Sequence, residues 1–478
     1  MRNKKWMKYT CVGLVVCILL SQVGCSTGKE NDNTESDKVV IEKMEPEETH
    51  TLSFDVIGGK DVMPIAGYFG PYVSSFSPNA QTHPNFYTDE FMKQIPATGV
   101  NLITYIESGT AGERGQTLLD LCQKYGIGLF MTDSTITTLR GKNATPSVDL
   151  ITDSMSLYRT HPAFCGLYLV DEPGGKDYWT KAEGSNMEDY ASLSKVLKEQ
   201  CEVEFYTNLI RINHKGQREQ YESYLKEYCE TMNPSVMMFD LYVWDEGETK
   251  TIFLYNLALA RKYALEYKLP LWNYIACGTD FETKERGQYY EAHPLEGEFD
   301  WSINTSLAYG TTGINYFMLI QPHYFSTTTD PEVIDAERNG IFGVWGNKNR
   351  WYYYAQDISK QITAIDAVLM NSVNKGVIAS GEEALNDTMD SPDVMIKGTS
   401  WRELADVKGD ALVGCFNYQG KTALYVVNYD AEYAQDIKLS FHDNYKMQVT
   451  QDGETKYVDA SSLTLKMKAG DGALIVIQ

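Results

Sequence analysis

Around residue 170 an apolar run, Gly166-Leu-Tyr-Leu-Val, ends abruptly on two adjacent carboxylates, Asp171 and Glu172, followed by Pro173. Proline has no N–H to donate and stops a hydrogen-bonded ladder, so a strand that ends there turns its last side chains into open space. A carboxyl placed in that way can give or take a proton or attack an electron-poor carbon, and two such groups can divide these tasks.

Seven other apolar runs end in comparable fashion and supply further candidates. Their ends and following loops hold Tyr68, Tyr72, Glu107, Asp133, Asn208, Arg211, Asp240, Tyr242, Trp272, Asn273, Tyr316 and Gln321. Acids and aromatics dominate the set. Carboxylates serve proton transfer and attack at an acetal carbon, while flat aromatic faces stack on the C–H faces of sugar rings. Trp179, Trp244, Trp301 and Trp345 fall near the same loops. Each aromatic taken singly serves equally well to close a barrel end. Each acid other than Glu172, taken singly, is better accounted for as a loop cap or as the partner of Arg211 or Arg286 than as a catalytic group.

The elements that must position these groups repeat one arrangement from Ile65 onward. Short runs rich in β-branched and aromatic residues cover 65–72, 100–107, 127–133, 164–171, 204–211, 235–243, 269–277 and 313–320. Between them, 89–98, 115–125, 187–201, 217–232, 251–267 and 299–309 place apolar residues at three- and four-residue intervals, as amphipathic helices do. Eight strand–helix units over about 250 residues predict an α/β fold, a (β/α)8 TIM barrel, with reactive groups at the C-terminal strand ends. No Gly-rich phosphate turn follows the first strand, which disfavours a doubly wound nucleotide-binding sheet. Residues 341–369 hold the last barrel helix. Beyond it the pattern shifts to short alternating runs at 393–397, 411–418, 422–429, 437–441, 446–450, 462–467 and 472–477, separated by Gly, Asp and Asn turns. These predict a small all-β sandwich. The expected domains are therefore a barrel over 51–370 and a sandwich over 371–478, with a further apolar run at 52–57 as an extra strand.

The Asp171-Glu172-Pro173 ending resembles the glycoside hydrolases of clan A, whose fourth strand ends in an acid/base glutamate, commonly within Asn-Glu-Pro. Residues 298–317, Glu298-Phe-Asp-Trp-Ser-Ile-Asn-Thr-Ser-Leu-Ala-Tyr-Gly-Thr-Thr-Gly-Ile-Asn-Tyr-Phe317, are similar to the seventh helix and eighth strand of galactosidase-like barrels that carry a C-terminal β-sandwich. The resemblance implies that Glu172 is the general acid. It also implies a nucleophilic glutamate at the end of strand seven. There Leu269-Pro-Leu-Trp-Asn-Tyr-Ile-Ala-Cys-Gly278 offers none, and the nearest acids are Asp280 and Glu282. Asp171 stands where the family has asparagine. Asp240 and Glu298 are the candidates for the second catalytic carboxylate. Tyr68, Glu107, Asp133, Asp171, Asn208, Tyr242, Trp272, Asn273, Trp301 and Tyr316 are candidates for substrate binding. The rival expectation is a glycan-binding lipoprotein on a barrel that has lost one acid.

Composition narrows the rest. With 478 residues and a net charge of −23, a phosphate-backbone partner is disfavoured, so no nucleic acid is expected. Arg2, Lys4, Lys5 and Lys8 precede an apolar run at 11–20 and Val23-Gly24-Cys25. This is a signal peptide over 1–24 that resembles those of bacterial lipoproteins, with lipid on Cys25 as the membrane partner. Gln22 departs from the aliphatic residue usual there. The polar stretch 25–50 is expected to tether the protein at the extracytoplasmic face. Cys122, Cys165, Cys201, Cys229, Cys277 and Cys415 lack metal-ligand spacing and are expected to be buried free thiols, and the seven histidines form no HxH or HExxH pair. No metal and no cofactor is expected, and the partner is a carbohydrate.

Overall fold

The computed structural model describes residues 41–72, 85–105, 113–244, 249–278, 295–322 and 340–478. Eight parallel strands form its first sheet: β1 (Ile65–Gly67), β2 (Leu102–Ile103), β3 (Gly128–Met131), β4 (Phe164–Asp171), β5 (Phe205–Asn208), β6 (Met237–Phe239), β7 (Leu271–Ala276) and β8 (Gly313–Phe317). They are ordered β5-β4-β3-β2-β1-β8-β7-β6, and a bridge between Leu209 and Phe239 draws the last two edges together into a barrel. The strands are shorter than the apolar runs that announce them, because the ladder stops where the chain turns into the loops.

Strand alternation sorts the side chains. Ala66, Tyr68, Leu102, Phe130, Tyr168, Tyr206, Met238, Trp272 and Tyr274 cluster inside the barrel. Ile65, Ile103, Leu129, Met131, Phe205, Met237, Phe239, Leu271 and Ile275 pack outward in the larger core. Inside, Phe130 stacks on Tyr206 at 3.5 Å and on Trp272 at 6.3 Å. The run at 52–57 is not a strand: it ends in a short 3-10 turn, Asp55–Ile57, and its Phe54 lies edge-on to Phe130 at 5.9 Å, stopping the barrel's lower end.

The helix Arg350–Leu369 closes the barrel and leads into the second sheet. Its strands are β9 (Ser372–Ser380), β10 (Leu404–Lys408), β11 (Ala411–Tyr418), β12 (Lys421–Asn428), β13 (Gln435–Gln451), β14 (Glu454–Met467) and β15 (Gly472–Ile477). The order is β10-β13-β15-β12-β11-β9, with β14 on β13. Two runs expected as separate strands, 437–441 and 446–450, are one long strand whose pairing with β14 shifts register between Ser440 and Tyr445. Residues 393–397 form no named strand and contribute a single bridge through Met395 to Val377. β11, β12 and β15 read as unbroken apolar runs because both faces are covered. Val413, Cys415, Leu424, Val426 and Ile475 fill the sandwich's own core, whereas Leu412, Phe416, Tyr425, Val427, Leu474 and Val476 join the barrel core.

The end of the expected tether is docked rather than free. Asn417 Nδ2 donates to the Glu45 carbonyl at 2.8 Å and to Glu47 at 2.7 Å, and Lys375 pairs with Glu47 at 3.0 Å. All six described cysteines are free. Among the described residues no helix is long and apolar enough to cross a membrane.

A buried polar seam fixes sandwich to barrel. Tyr425 donates to Asn304 Oδ1 at 2.7 Å, Asn304 Nδ2 donates to the Gly470 carbonyl at 2.9 Å, and Gln361 Nε2 donates to Tyr425 at 3.1 Å and to the Gly472 carbonyl at 2.9 Å. Truncating one member leaves the others unsatisfied away from water. We predict that Asn304→Ala destabilises the protein by about 2–3 kcal/mol in urea unfolding; a loss under about 0.5 kcal/mol would show that the seam is not a fastening.

Candidate active site

The C-terminal end of the barrel is built around β4 and its neighbours. Asp171 lies opposite Asn208 in the ladder, after a register shift between Tyr168 and Val170. Its Oδ1 accepts hydrogen bonds from the Tyr168 hydroxyl at 2.9 Å and from Asn208 Nδ2 at 3.2 Å. Glu172 then turns sharply, with φ of 43°, a left-handed conformation that a residue with a side chain adopts only when its surroundings enforce it. The enforcement is visible. Glu172 N donates to the Asn208 carbonyl at 2.9 Å, and the next carbonyl, of Pro173, accepts the Tyr224 hydroxyl at 3.0 Å. The turn swings the Glu172 carboxylate to within 3.8 Å of Lys181 Nζ.

Asp240 follows β6 directly and is only 8% exposed. Its Oδ1 is buried with no hydrogen-bond partner among the described residues. Burial above all, and then the charges of Glu172 and Asp171, push its pKa well above the usual carboxylate range, against the opposing pull of Arg211 and a hydrogen bond from Asn208. Glu172 is raised first by burial and next by Asp171, with Lys181 and Arg211 acting the other way. Asp171 is also raised by burial, against the hydrogen bonds of Tyr168 and Asn208. By surface area Asp171 is nevertheless exposed to solvent, which softens that effect. Burial and neighbouring charge therefore raise the proton affinity of all three carboxyls, and Asp240 is the most deeply buried of them.

Phenols wall this cluster. Tyr68 stacks on Tyr105 at 4.7 Å and meets Tyr168 and Tyr274 edge-on, each at 5.7 Å. Tyr242 stacks on Phe317 at 5.4 Å. Burial and the nearby carboxylates hold the Tyr68, Tyr168, Tyr242 and Tyr274 hydroxyls protonated, so they remain donors at any physiological pH.

Of the sequence candidates, the structure gathers Glu172, Asp240, Asp171, Asn208, Tyr68 and Tyr242 at this mouth. The others lie elsewhere. Glu298 caps the helix Glu296–Ala308: its carboxylate accepts from Leu295 N at 2.6 Å, and the charges acting on it are those of Glu432 and Lys250. Asp133 is 1% exposed and fully used, accepting from the backbone N–H groups of Thr135 and Ile136 and from Ser154 and Tyr158 at 2.6 Å each. Trp272 fills the barrel interior. Asn273 and Tyr316 point outward, Asn273 onto Ser306 at 2.9 Å and Tyr316 against Phe299 at 5.7 Å. Trp301 packs between Trp244, Phe253 and Tyr429 where barrel meets sandwich. Glu107, Asp280, Glu282 and Cys25 lie outside the described residues. Tyr105, Tyr168, Tyr274 and Lys181 are the members that strand ends alone do not reveal. Parity would have found one of them, since Tyr274 shares a face with Trp272; Tyr168 lies three residues before Asp171 across a register shift that hides it. Among the described residues no group of three or more His, Cys, Asp or Glu side chains is arranged to hold a metal ion.

No protein-family profile and no curated protein matches this sequence. Solved structures with a similar course of chain include a conserved exported protein from Bacteroides fragilis, with 8% identity, 91% of this chain and 100% of that one covered, and a TM-score of 0.44. An exo-β-1,4-mannosidase from Opitutaceae bacterium strain TAV5 gives 12% identity, coverage of 68% and 63%, and a TM-score of 0.43. A β-galactosidase from the psychrophilic Marinomonas ef1 gives 10% identity, coverage of 71% and 66%, and a TM-score of 0.41, so this chain spans slightly less than two thirds of that enzyme's length. Likenesses this loose carry no argument about activity, and they do not single out the clan that Glu172-Pro173 resembles.

The proton economy of the site has a measurable consequence. An acid whose folded pKa lies above its unfolded value weakens the fold as pH rises from the unfolded pKa toward the folded one, because the native state then holds a proton that solvent draws away. Asp240 is such a group, with an ordinary value of 3.8. Asp240→Asn, which cannot ionise, is therefore predicted to unfold at a higher temperature than the parent at pH 7 and to lose that advantage below about pH 4. A variant less stable than the parent at both pH values would contradict the assignment.

Proposed function

We propose that the protein is an extracytoplasmic glycoside hydrolase, tethered through lipid on Cys25, in which Glu172 and Asp240 are the working carboxyls. The observation that carries this reading is that the charge of Glu172 raises the proton affinity of the buried Asp240, an acid from a different strand end, in a mouth walled by phenols. That arrangement supplies a proton donor and an ionised carboxylate at the same pH. Lys181 and Arg211 favour the charged form of Glu172, so it ionises first, and the deeper Asp240 keeps the proton. In a glycoside held between them, Asp240 protonates the departing oxygen while Glu172 attacks the anomeric carbon or draws a proton from water. Clan A resemblance would give Glu172 the acid's part; the surrounding charges favour the reverse. Asp171, Asn208 and the tyrosine hydroxyls are suited to hold sugar hydroxyls. Glu298 is left with a structural part as a helix cap.

Reducing-sugar release from a broad panel of oligo- and polysaccharides tests this. Glu172→Gln and Asp240→Asn are each predicted to lose about 10³-fold in rate, while Glu298→Gln stays within about threefold, because a helix cap supports stability rather than the reaction. On an aryl glycoside, whose leaving group departs without a proton, Asp240→Asn should recover most of the loss and Glu172→Gln should not. The opposite pattern would return the acid's role to Glu172. No release by the parent, with sugar affinity that survives Glu172→Gln, would instead indicate a glycan-binding protein.

A further inference from the structure

At the barrel end opposite the carboxylates, a cavity of about 40 Å³ lies between the starts of β7 and β8 and the first strand of the sandwich. Arg261, from the helix Lys250–Glu266, reaches into it and is 6% exposed. Its only hydrogen bond among the described residues runs from Nη2 to the Asn374 carbonyl at 3.1 Å, and its Nε is buried without a partner. Thr311 and Thr312, 1% and 8% exposed, also line the cavity, and neither hydroxyl has a partner among the described residues. The carbonyl oxygen of the Asn374 side chain is likewise unpartnered there. Glu48 and His50 border the opening, with Glu48 exposed to solvent. Gly310, at φ of +85°, lets its backbone close on this group, since a Cβ there would sit 2.6 Å from Asn374 Cβ and 3.3 Å from the guanidinium carbon.

A guanidinium taken out of water without a counter-charge costs several kcal/mol. Burial is the sole influence on Arg261 among the described residues, drawing its pKa down to about 9, so it stays cationic at neutral pH with no carboxylate among them compensating it. We propose that this cavity binds a small monovalent anion, of chloride or formate size, held by the Arg261 guanidinium and the Thr311 and Thr312 hydroxyls. The volume suits one such ion or a few waters and excludes a sugar. The donors are those an anion needs; the Asn374 side-chain oxygen and, at the opening, the Glu48 carboxylate face it unfavourably. Because Arg261 comes from a barrel helix and Asn374 from β9, the ion would fasten the sandwich to the barrel, independently of what the catalytic end does.

The test is thermal unfolding of the purified protein in sodium chloride against sodium gluconate at fixed ionic strength, gluconate being too large for the cavity. Chloride should raise Tm saturably by about 1–2 °C, Thr312→Val should raise the half-saturating chloride concentration at least about threefold, by loss of one hydrogen bond, and Arg261→Gln should abolish the effect. Equal Tm values in the two salts, or an undiminished chloride effect in Arg261→Gln, would overturn the proposal. Should Arg261→Gln fail to fold, bromide-soaked crystals of the parent decide: an anomalous peak beside the guanidinium supports the site, and ordered water alone in the cavity refutes it.

Discussion

One constraint organises the candidate site of this protein: three carboxyl groups, Asp171, Glu172 and Asp240, lie where burial and one another's charge raise their proton affinity. Like charges at close range are tolerated only if one keeps a proton or if cations stand nearby. Arg211 acts on both Glu172 and Asp240, Lys181 acts on Glu172, and in the proposed mechanism Asp240 is the group that keeps the proton. The left-handed turn at Glu172 belongs to the same arrangement, because it aims that carboxylate toward Lys181.

The rest of the molecule holds this group still. Phe130, Tyr206 and Trp272 fill the barrel below it, and Phe54 stops the lower end, so the inward side chains of the upper layer rest on packed aromatic rings. The tyrosines above fix Asp171 through the Tyr168 hydroxyl. The helix Glu296–Ala308 ties the barrel to the sandwich through Asn304 and Trp301, and Glu298 caps its start. A residue that looked like chemistry in the sequence thus caps a helix of the frame.

Fold class was legible because both rhythms are strong: eight apolar runs alternating with helical spacing, then short alternating strands. Asp171-Glu172-Pro173 was legible because an apolar strand that stops on two acids and a proline has few structural explanations. What resisted was parity and partnership. Asn273 and Tyr316 sit one residue from inward positions, and without the register a one-residue error exchanges the mouth for the outer core. Asp133 carries the right chemistry in the right place along its strand, yet Ser154 and Tyr158, distant in sequence, consume its lone pairs. β9 and β10 escaped notice because Asn374, Lys375 and Gly376 in the one and Asp406 and Lys408 in the other interrupt the apolar alternation.

The central claim is that Asp240 holds a proton while Glu172 is ionised. Neutron diffraction from deuterium-exchanged crystals at pH 7 tests it most directly. We predict a deuteron on the Asp240 carboxyl and none on Glu172; two bare carboxylates, or a deuteron on Glu172 with Asp240 bare, would contradict it.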